Sequence, residues 1–209
     1  MSDQATLPQA RIDLYPTQVV VTTYDGPLVT SKPVSPRSLA GIFTGLTASS
    51  GLLPPNALFW KIDDEDQPEC GIFIEAHRRK LVIDDATTFT VPLPPLIFTG
   101  CKQKYRLFAV KARPTSERDR LYYPPLSNIF NSGAICKGNG ELPDADWSTI
   151  GAAFELFMSA QFAPHLVRNR LKDHPNNVHD GWEKLALFGP DTFPLDQLVA
   201  TQLTVGDII

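Results

Sequence analysis

The sequence has little of what marks a membrane, secreted or nucleic-acid-binding protein. No apolar run approaches the roughly 18 residues that a membrane-spanning helix needs. Residues 1–16 contain neither a basic start nor an apolar stretch, so we expect no secretory signal. The net charge is −4, which gives the chain no overall electrostatic attraction to nucleic acid. We therefore expect no membrane and no nucleic acid among its partners.

Cysteine is also scarce, because the chain has only three, Cys70, Cys101 and Cys136. Their odd number and wide separation fit a reducing cytoplasm better than a disulfide framework. Two of the four histidines, His174 and His179, have half of a zinc-ligand spacing, but no Cys-x-x-Cys pair accompanies them. We therefore expect no metal and no bound cofactor.

The composition is otherwise that of a globular protein, at 43% hydrophobic and 20% charged residues over 209 positions. Its 19 prolines predict a fold that is rich in loops. We expect residues 1–16 to form a flexible arm and residues 17–209 to form a single domain. Within that domain, a loop over 121–146 precedes a helical part over 147–209.

The hydrophobic pattern predicts an α+β fold. Short alternating segments indicate an antiparallel β-meander with one packed face. Pro92, Pro94 and Pro95 exclude a central strand and indicate an approach or edge segment there. Strands are expected near residues 19–24, 58–62, 72–75, 80–83, 96–101 and 105–112. Helical spacing predicts helices over residues 36–47, 147–162, 181–188 and 195–198.

The stretch over residues 121–140, LYYPPLSNIFNSGAICKGNG, contains the most informative pattern. Cys136 follows a short apolar rise, and Asn128 lies eight positions before it. Between them, Asn131-Ser132-Gly133 predicts a tight turn, because Asn and Gly tolerate positive φ. A thiolate can attack an acyl carbonyl, and a neutral amide donor can stabilise the oxyanion that forms.

At these residues the chain resembles the E2 ubiquitin-conjugating (UBC) superfamily. The resemblance rests on the Tyr123-Pro124 approach, the Asn-to-Cys spacing, the Ile-Cys pair and the helix that follows Trp147-Ser148. The chain resembles more closely the prokaryotic E2 family D, the branch that includes the PRTRC system protein B. That nearer match adds VPLPPLIF at 91–98, Arg113-Pro114, Gly181-Trp182 and Phe193-Pro194, and it covers roughly residues 35 to 200.

The resemblance implies a UBC-like fold with an additional N-terminal strand. It also implies that Cys136 accepts a ubiquitin-like protein as a thioester from an E1-like, ThiF-family activating enzyme and passes it to an acceptor. Asn128 would stabilise the oxyanion during transfer. A JAB-type metal peptidase is often a further component of such systems.

Five residues are candidates for supporting roles beside Cys136 and Asn128. Lys137 carries a positive charge that favours a thiolate, and Ser127 and Tyr123 belong to the loop that leads to the nucleophile. Asp144 and Asp146 could orient an incoming amine, although capping the next helix is the more ordinary role for them.

The sequence departs from the E2 pattern at three places. Leu126 and Ser127 stand where E2 enzymes usually have His-Pro, Lys137 stands where Leu is common, and Trp147 follows Cys136 by eleven positions. The first departure favours an alternative, a non-catalytic module of the UEV type that binds a ubiquitin-like protein without a covalent bond. A cysteine hydrolase is a third hypothesis, and it requires a histidine beside the thiol. Cys136 as a packed structural thiol, and Asn128 as an Asx-turn residue, are the simplest alternatives.

Overall fold

The computed structural model describes residues 10–16, 18–35, 53–62, 67–138 and 140–209. The chain divides into two compact units, Met1–Leu52 and Leu53–Ile209. This division differs from the boundary at residue 16 that composition indicated, and one domain over 17–209 stays a prediction. The expected helix over residues 36–47 lies outside the described residues.

The described part of the first unit is a three-stranded antiparallel sheet in the order β1-β2-β3. Its strands are β1 (Ala10–Leu14), β2 (Val19–Asp25) and β3 (Leu28–Val34). The expected strand at residues 19–24 is therefore confirmed as β2. Residues 10–14, which lie in the segment expected to form an arm, pair with residues 19–23 of β2. A two-residue turn joins β2 to β3, with Gly26 at a φ of +56°.

The second unit is built on a six-stranded antiparallel sheet in the order β11-β10-β9-β8-β5-β4. Its strands are β4 (Ala57–Ile62), β5 (Pro68–Ile74), β8 (Leu96–Cys101), β9 (Lys104–Ala109), β10 (Arg120–Tyr122) and β11 (Ala200–Thr204). Alternation in the sequence predicted β4, β5, β8 and β9, but it did not indicate β10 or β11. Those two strands are short, and β11 joins the sheet through its pairing with β10.

A separate two-stranded ribbon contains β6 (His77–Val82) and β7 (Thr88–Leu93). The strand expected at residues 80–83 therefore starts earlier, at His77. Pro92 lies in β7 opposite Arg78, in a strand that has only one neighbour in its sheet. This position agrees with the expectation that the proline-rich segment forms an edge, because proline has no N–H for a second neighbour.

The six-stranded sheet is packed on both faces, which corrects the expectation of a single packed face. Leu96 and Phe98 of β8 belong to the larger core, which also contains the helices. Ile97 lies between them in sequence and belongs to a smaller core with Val205 and Ile208. Because successive side chains of a strand point to opposite faces, β8 must be hydrophobic on both sides.

Two α-helices pack with the larger core, α1 (Ile150–Ser159) and α2 (Val178–Phe188). The predicted helices over 147–162 and 181–188 are therefore confirmed with different ends. The start of α2 lies at Val178 because the Asn177 side chain accepts a hydrogen bond from the backbone N–H of His179, at 3.1 Å. Residues Leu195–Gln197 and Val205–Asp207 form 3-10 turns. In the described parts of the chain, no helix is long and apolar enough to cross a membrane.

Candidate active site

Asn128 and Cys136 face each other across a short hairpin, here called the cysteine hairpin (residues 128–136). The backbone N–H of Cys136 donates to the carbonyl of Asn128 at 2.7 Å, and the backbone N–H of Phe130 donates to the carbonyl of Ala134 at 2.8 Å. The turn ends at Gly133, which has a φ of +84°. The spacing of eight residues therefore corresponds to one antiparallel pairing closed by the predicted turn.

The returning arm of the cysteine hairpin continues the central sheet beside β9. The N–H of Leu107 donates to the carbonyl of Gly133 at 2.9 Å, and the N–H of Ile135 donates to the carbonyl of Tyr105 at 3.1 Å. Ala134 forms an antiparallel bridge with Arg106 between these two bonds. Cys136 consequently comes directly after a segment that is paired on both sides.

Polar contacts from the second helix fix the chain before the cysteine hairpin. The indole N–H of Trp182 donates to the carbonyl of Pro125 at 2.7 Å, and Ser127 Oγ lies 3.2 Å from His179 Nε2. The rings of His179 and Trp182 are in contact, with centroids 4.4 Å apart. Burial lowers the pKa of His179, and the nearby Asp180 opposes that shift. Ser127 is fully buried, so its part in the site is to hold the loop.

Asn128 has a left-handed backbone, with a φ of +60°, and its side chain is buried. Its Nδ2 donates to the carbonyl of Gln161 at 2.8 Å, and its Oδ1 accepts from the N–H of Ala163 at 3.1 Å. The carboxamide therefore ties the cysteine hairpin to the segment after α1. These bonds reach a distant part of the chain, unlike those of the Asx turn that was one alternative.

Arg170 is a buried component of the site that the sequence did not reveal. Its Nη2 donates to the carbonyl of Ile129 and, at 3.5 Å, to Asn131 Oδ1. The guanidinium also lies 5.0 Å from the centre of the Tyr123 ring. Arg170 is 1% exposed, and within the described residues it forms no ion pair with a carboxylate. Desolvation lowers its pKa, while Tyr123 opposes the shift.

None of the three cysteines forms a disulfide, and their surroundings differ. Cys70 is 2% exposed on β5, and burial raises its pKa to about 11, with smaller contributions from Asp146 and Glu69. Cys101 and Cys136 are half-buried. Cys70 is therefore unsuited to act as a nucleophile, since its thiolate is strongly disfavoured.

The acidic candidates lie in the turn that precedes α1. The Asp146 carboxylate accepts from Ser148 Oγ and from the Ser148 N–H, both at 2.6 Å, and these bonds with those from Thr149 lower its pKa. The backbone carbonyl of Asp144 accepts from Thr149 Oγ1 at 2.6 Å. Asp146 thus performs the ordinary role of organising a helix start, and both carboxylates are on exposed residues.

Lys137 is the supporting residue nearest to the thiol in sequence, and it is exposed. Its Nζ lies 3.5 Å from Gln103 Oε1, in the turn between β8 and β9. No histidine nitrogen is hydrogen-bonded to the Cys136 thiol in the part of the chain that the structure describes. The described residues also contain no group of three or more His, Cys, Asp and Glu side chains that could hold a metal ion.

These features define an α+β protein that presents a half-exposed cysteine at the end of a braced hairpin. The chain belongs to prokaryotic E2 family D, whose family model matches residues 38–201. No match was found among curated proteins or among solved structures. Membership in the family links the chain to ubiquitin-like conjugation and, in general terms, to ubiquitin-like and E1-like partners.

Replacing Gly133 by Ala should destabilise the protein by about 2–5 kcal/mol. A Cβ at this residue would lie 2.2 Å from Phe108 Cζ, and the φ of +84° adds strain. Phe108 is fully buried, so its ring has little room to move away. Urea unfolding of the full chain, followed by tryptophan fluorescence, measures the loss of free energy.

Gly138→Ala is the matched control for that substitution. Gly138 has a φ of +57°, but nothing lies within 4 Å of an added Cβ. We expect a cost of about 1–2 kcal/mol from the backbone alone. Equal losses for the two variants would show that Gly133 is not held against Phe108.

Acidification below about pH 6.5 should destabilise the protein through His179. The native pKa of His179 lies below its ordinary value of 6.5, so the unfolded state binds more protons as the pH falls through this range. The contribution of neutral His179 to the free energy of unfolding is fully present above pH 6.5, and it is lost as the pH falls through the native pKa. His179→Gln should reduce the slope of the free energy of unfolding against pH over that interval. The same substitution at the exposed His165 should leave the slope unchanged. An unchanged slope in His179→Gln contradicts the assignment.

Proposed function

We propose that this chain is an E2-like transferase with a UBC fold, on which Cys136 carries a ubiquitin-like protein as a thioester. The observation that supports this most strongly is the pairing of Cys136 with Asn128 across a braced hairpin, in a member of an E2 family. The proposed donor is an E1-like, ThiF-family enzyme, and a JAB-type peptidase is a proposed further component of the system.

In the proposed first step, the Cys136 thiolate attacks the carbonyl of the thioester between the activating enzyme and the modifier. The tetrahedral intermediate collapses, the old C–S bond breaks and the thiolate of the activating enzyme leaves. In the second step an acceptor amine attacks the new thioester, a C–N bond forms, and Cys136 leaves as a thiolate while the amine loses a proton. Both leaving groups are thiolates, so exchange needs no strong base.

Asn128 is the proposed oxyanion donor in the second step. One N–H of its Nδ2 is used by the carbonyl of Gln161, and the second is the donor that we assign to the intermediate. The bonds to Gln161 and Ala163 hold the amide still, which favours transition-state stabilisation because no reorganisation is needed during the reaction. Lys137 is proposed to favour the Cys136 thiolate through its positive charge, and Asp144 and Asp146 are proposed to orient the acceptor amine.

The alternative is a UEV-type module that binds a ubiquitin-like protein without a covalent bond. The presence of Leu126 and Ser127 in place of His-Pro favours it. Both residues are fully buried, and Ser127 is held by His179, so the replacement gives an ordered loop. The two hypotheses differ in whether the Cys136 sulfur forms a bond.

A charging reaction with the cognate activating enzyme, modifier and ATP distinguishes these hypotheses. We expect an adduct that is visible on a non-reducing gel and is removed by a thiol reductant, because a thioester exchanges with thiols. Cys136→Ala should abolish this adduct. Cys101→Ala changes another half-buried cysteine and should still form the adduct. An adduct that persists in Cys136→Ala contradicts the assignment, and non-covalent binding with no adduct supports the UEV-type module.

Asn128→Ala should slow discharge of the preformed thioester by about 100-fold, the usual effect of removing one oxyanion donor. Single-turnover discharge to free lysine measures this step separately from charging. Ser127→Ala is the control, since it removes a neighbouring loop contact without removing the Nδ2 donor. Equal slowing in both variants would mean that Asn128 acts only by holding the loop.

A further inference from the structure

A groove with a volume of about 530 Å³ lies beside the arm that leads to Cys136. Its walls come from the start of β5, the turn after β8, strand β9 and the arm at Ala134, Ile135 and Lys137. The groove therefore reaches the residues on both sides of the candidate nucleophile in sequence. We call it the lysine groove, after Lys102, Lys104 and Lys137, which line it.

The lysine groove is strongly cationic in a chain whose net charge is negative. Among the described residues that line it, the one carboxylate is Glu69, which is 6% exposed and is bound by Arg106 at 2.7 Å and by Lys61 at 3.3 Å. The three lysines are exposed, and in the described part of the chain none of them forms an ion pair. Exposed lysines of this kind favour a partner that carries negative charge.

The lysines are attached to an ordered frame. Lys102 has a left-handed backbone with a φ of +49°, and its carbonyl accepts from the N–H of Ala145 at 2.8 Å. Lys104 begins β9 opposite Cys101, and Lys137 reaches Gln103 with its Nζ. Positive charge that is attached to an ordered backbone favours a partner of complementary charge and helps to set its register.

We propose that the lysine groove binds an extended acidic segment of the acceptor protein, with carboxylates that flank the amine to be modified. This inference rests on the function proposed above and specifies its acceptor. The ammonium group of an acceptor lysine is repelled by the three lysines of the groove. Carboxylates beside that lysine in the acceptor are attracted by the same three lysines and compensate the repulsion. Once bound, an amine near Lys137 is favoured in its neutral form, which is the form that attacks a thioester.

Binding is tested with two short acetylated peptides and the full chain, by fluorescence anisotropy. One peptide has a central lysine flanked by glutamates, and the other has glutamines in their place. We expect the acidic peptide to bind about tenfold more tightly at low salt, and the difference to shrink at about 1 M salt, where the Debye length is about 3 Å. Equal affinity of the two peptides at low salt would overturn the proposal.

The site of binding is tested with two double variants that change the net charge equally. Lys102→Glu with Lys104→Glu should remove the preference for the acidic peptide. Lys80→Glu with Lys184→Glu alters exposed lysines that do not line the groove, and it should retain the preference. Equal loss in both double variants would indicate attraction by the whole surface and would contradict a defined groove.

The proposed function and this inference fail in different ways. Peptide binding needs neither the activating enzyme nor the modifier, so binding in the groove without a Cys136 adduct would contradict the proposed function alone. An adduct that discharges equally fast to both peptides would contradict the groove alone. A preference for the acidic peptide in discharge, lost in Lys102→Glu with Lys104→Glu, supports both.

Discussion

The hydrogen bond from the N–H of Cys136 to the carbonyl of Asn128 is the interaction on which the candidate site depends. It closes the cysteine hairpin at the end where the thiol emerges, and it sets the carboxamide-bearing residue opposite the nucleophile. Without this hydrogen bond, a separation of eight residues in sequence would not fix the distance between Asn128 and Cys136 in the structure. The contacts of Asn128, Ser127 and Arg170 maintain this pairing or fix the chain that enters it.

The pairing requires Asn128 to adopt a left-handed backbone, a conformation that costs about 1–2 kcal/mol for most residues. Asn tolerates it better than most because its short polar side chain bonds nearby groups. Here that side chain is bonded to the segment after α1, while α2 holds Pro125 and Ser127 and Arg170 holds Ile129. A strained backbone conformation of this kind persists only where many surrounding contacts hold it in place, as these contacts hold Asn128. The C-terminal elements consequently control the geometry of a nucleophile that they do not carry.

Local sequence pattern predicted the parts of this arrangement that depend on neighbouring residues. Strand β4, the turn at Gly133 and the proximity of Asn128 to Cys136 follow from alternation, from turn chemistry and from spacing, respectively. The hydrogen bonds that His179 and Arg170 form with this loop could not be predicted in this way. Ser127 and His179 are 52 positions apart in sequence, and Ile129 and Arg170 are 41 apart. An arginine in a polar loop gives no sign that it will be buried. The family model matched in sequence supports the proposed chemistry, and the fold supplies the contacts that the pattern could not indicate.

Amide hydrogen exchange at Cys136 tests the central pairing most directly. In a chain labelled with ¹⁵N-cysteine, the account predicts that the Cys136 amide exchanges on the order of 100-fold more slowly than an unprotected amide, because it is bonded within a braced hairpin. The amide of the buried Cys70 gives an internal reference in the central sheet. Exchange of the Cys136 amide at the rate of an unprotected loop would contradict the account.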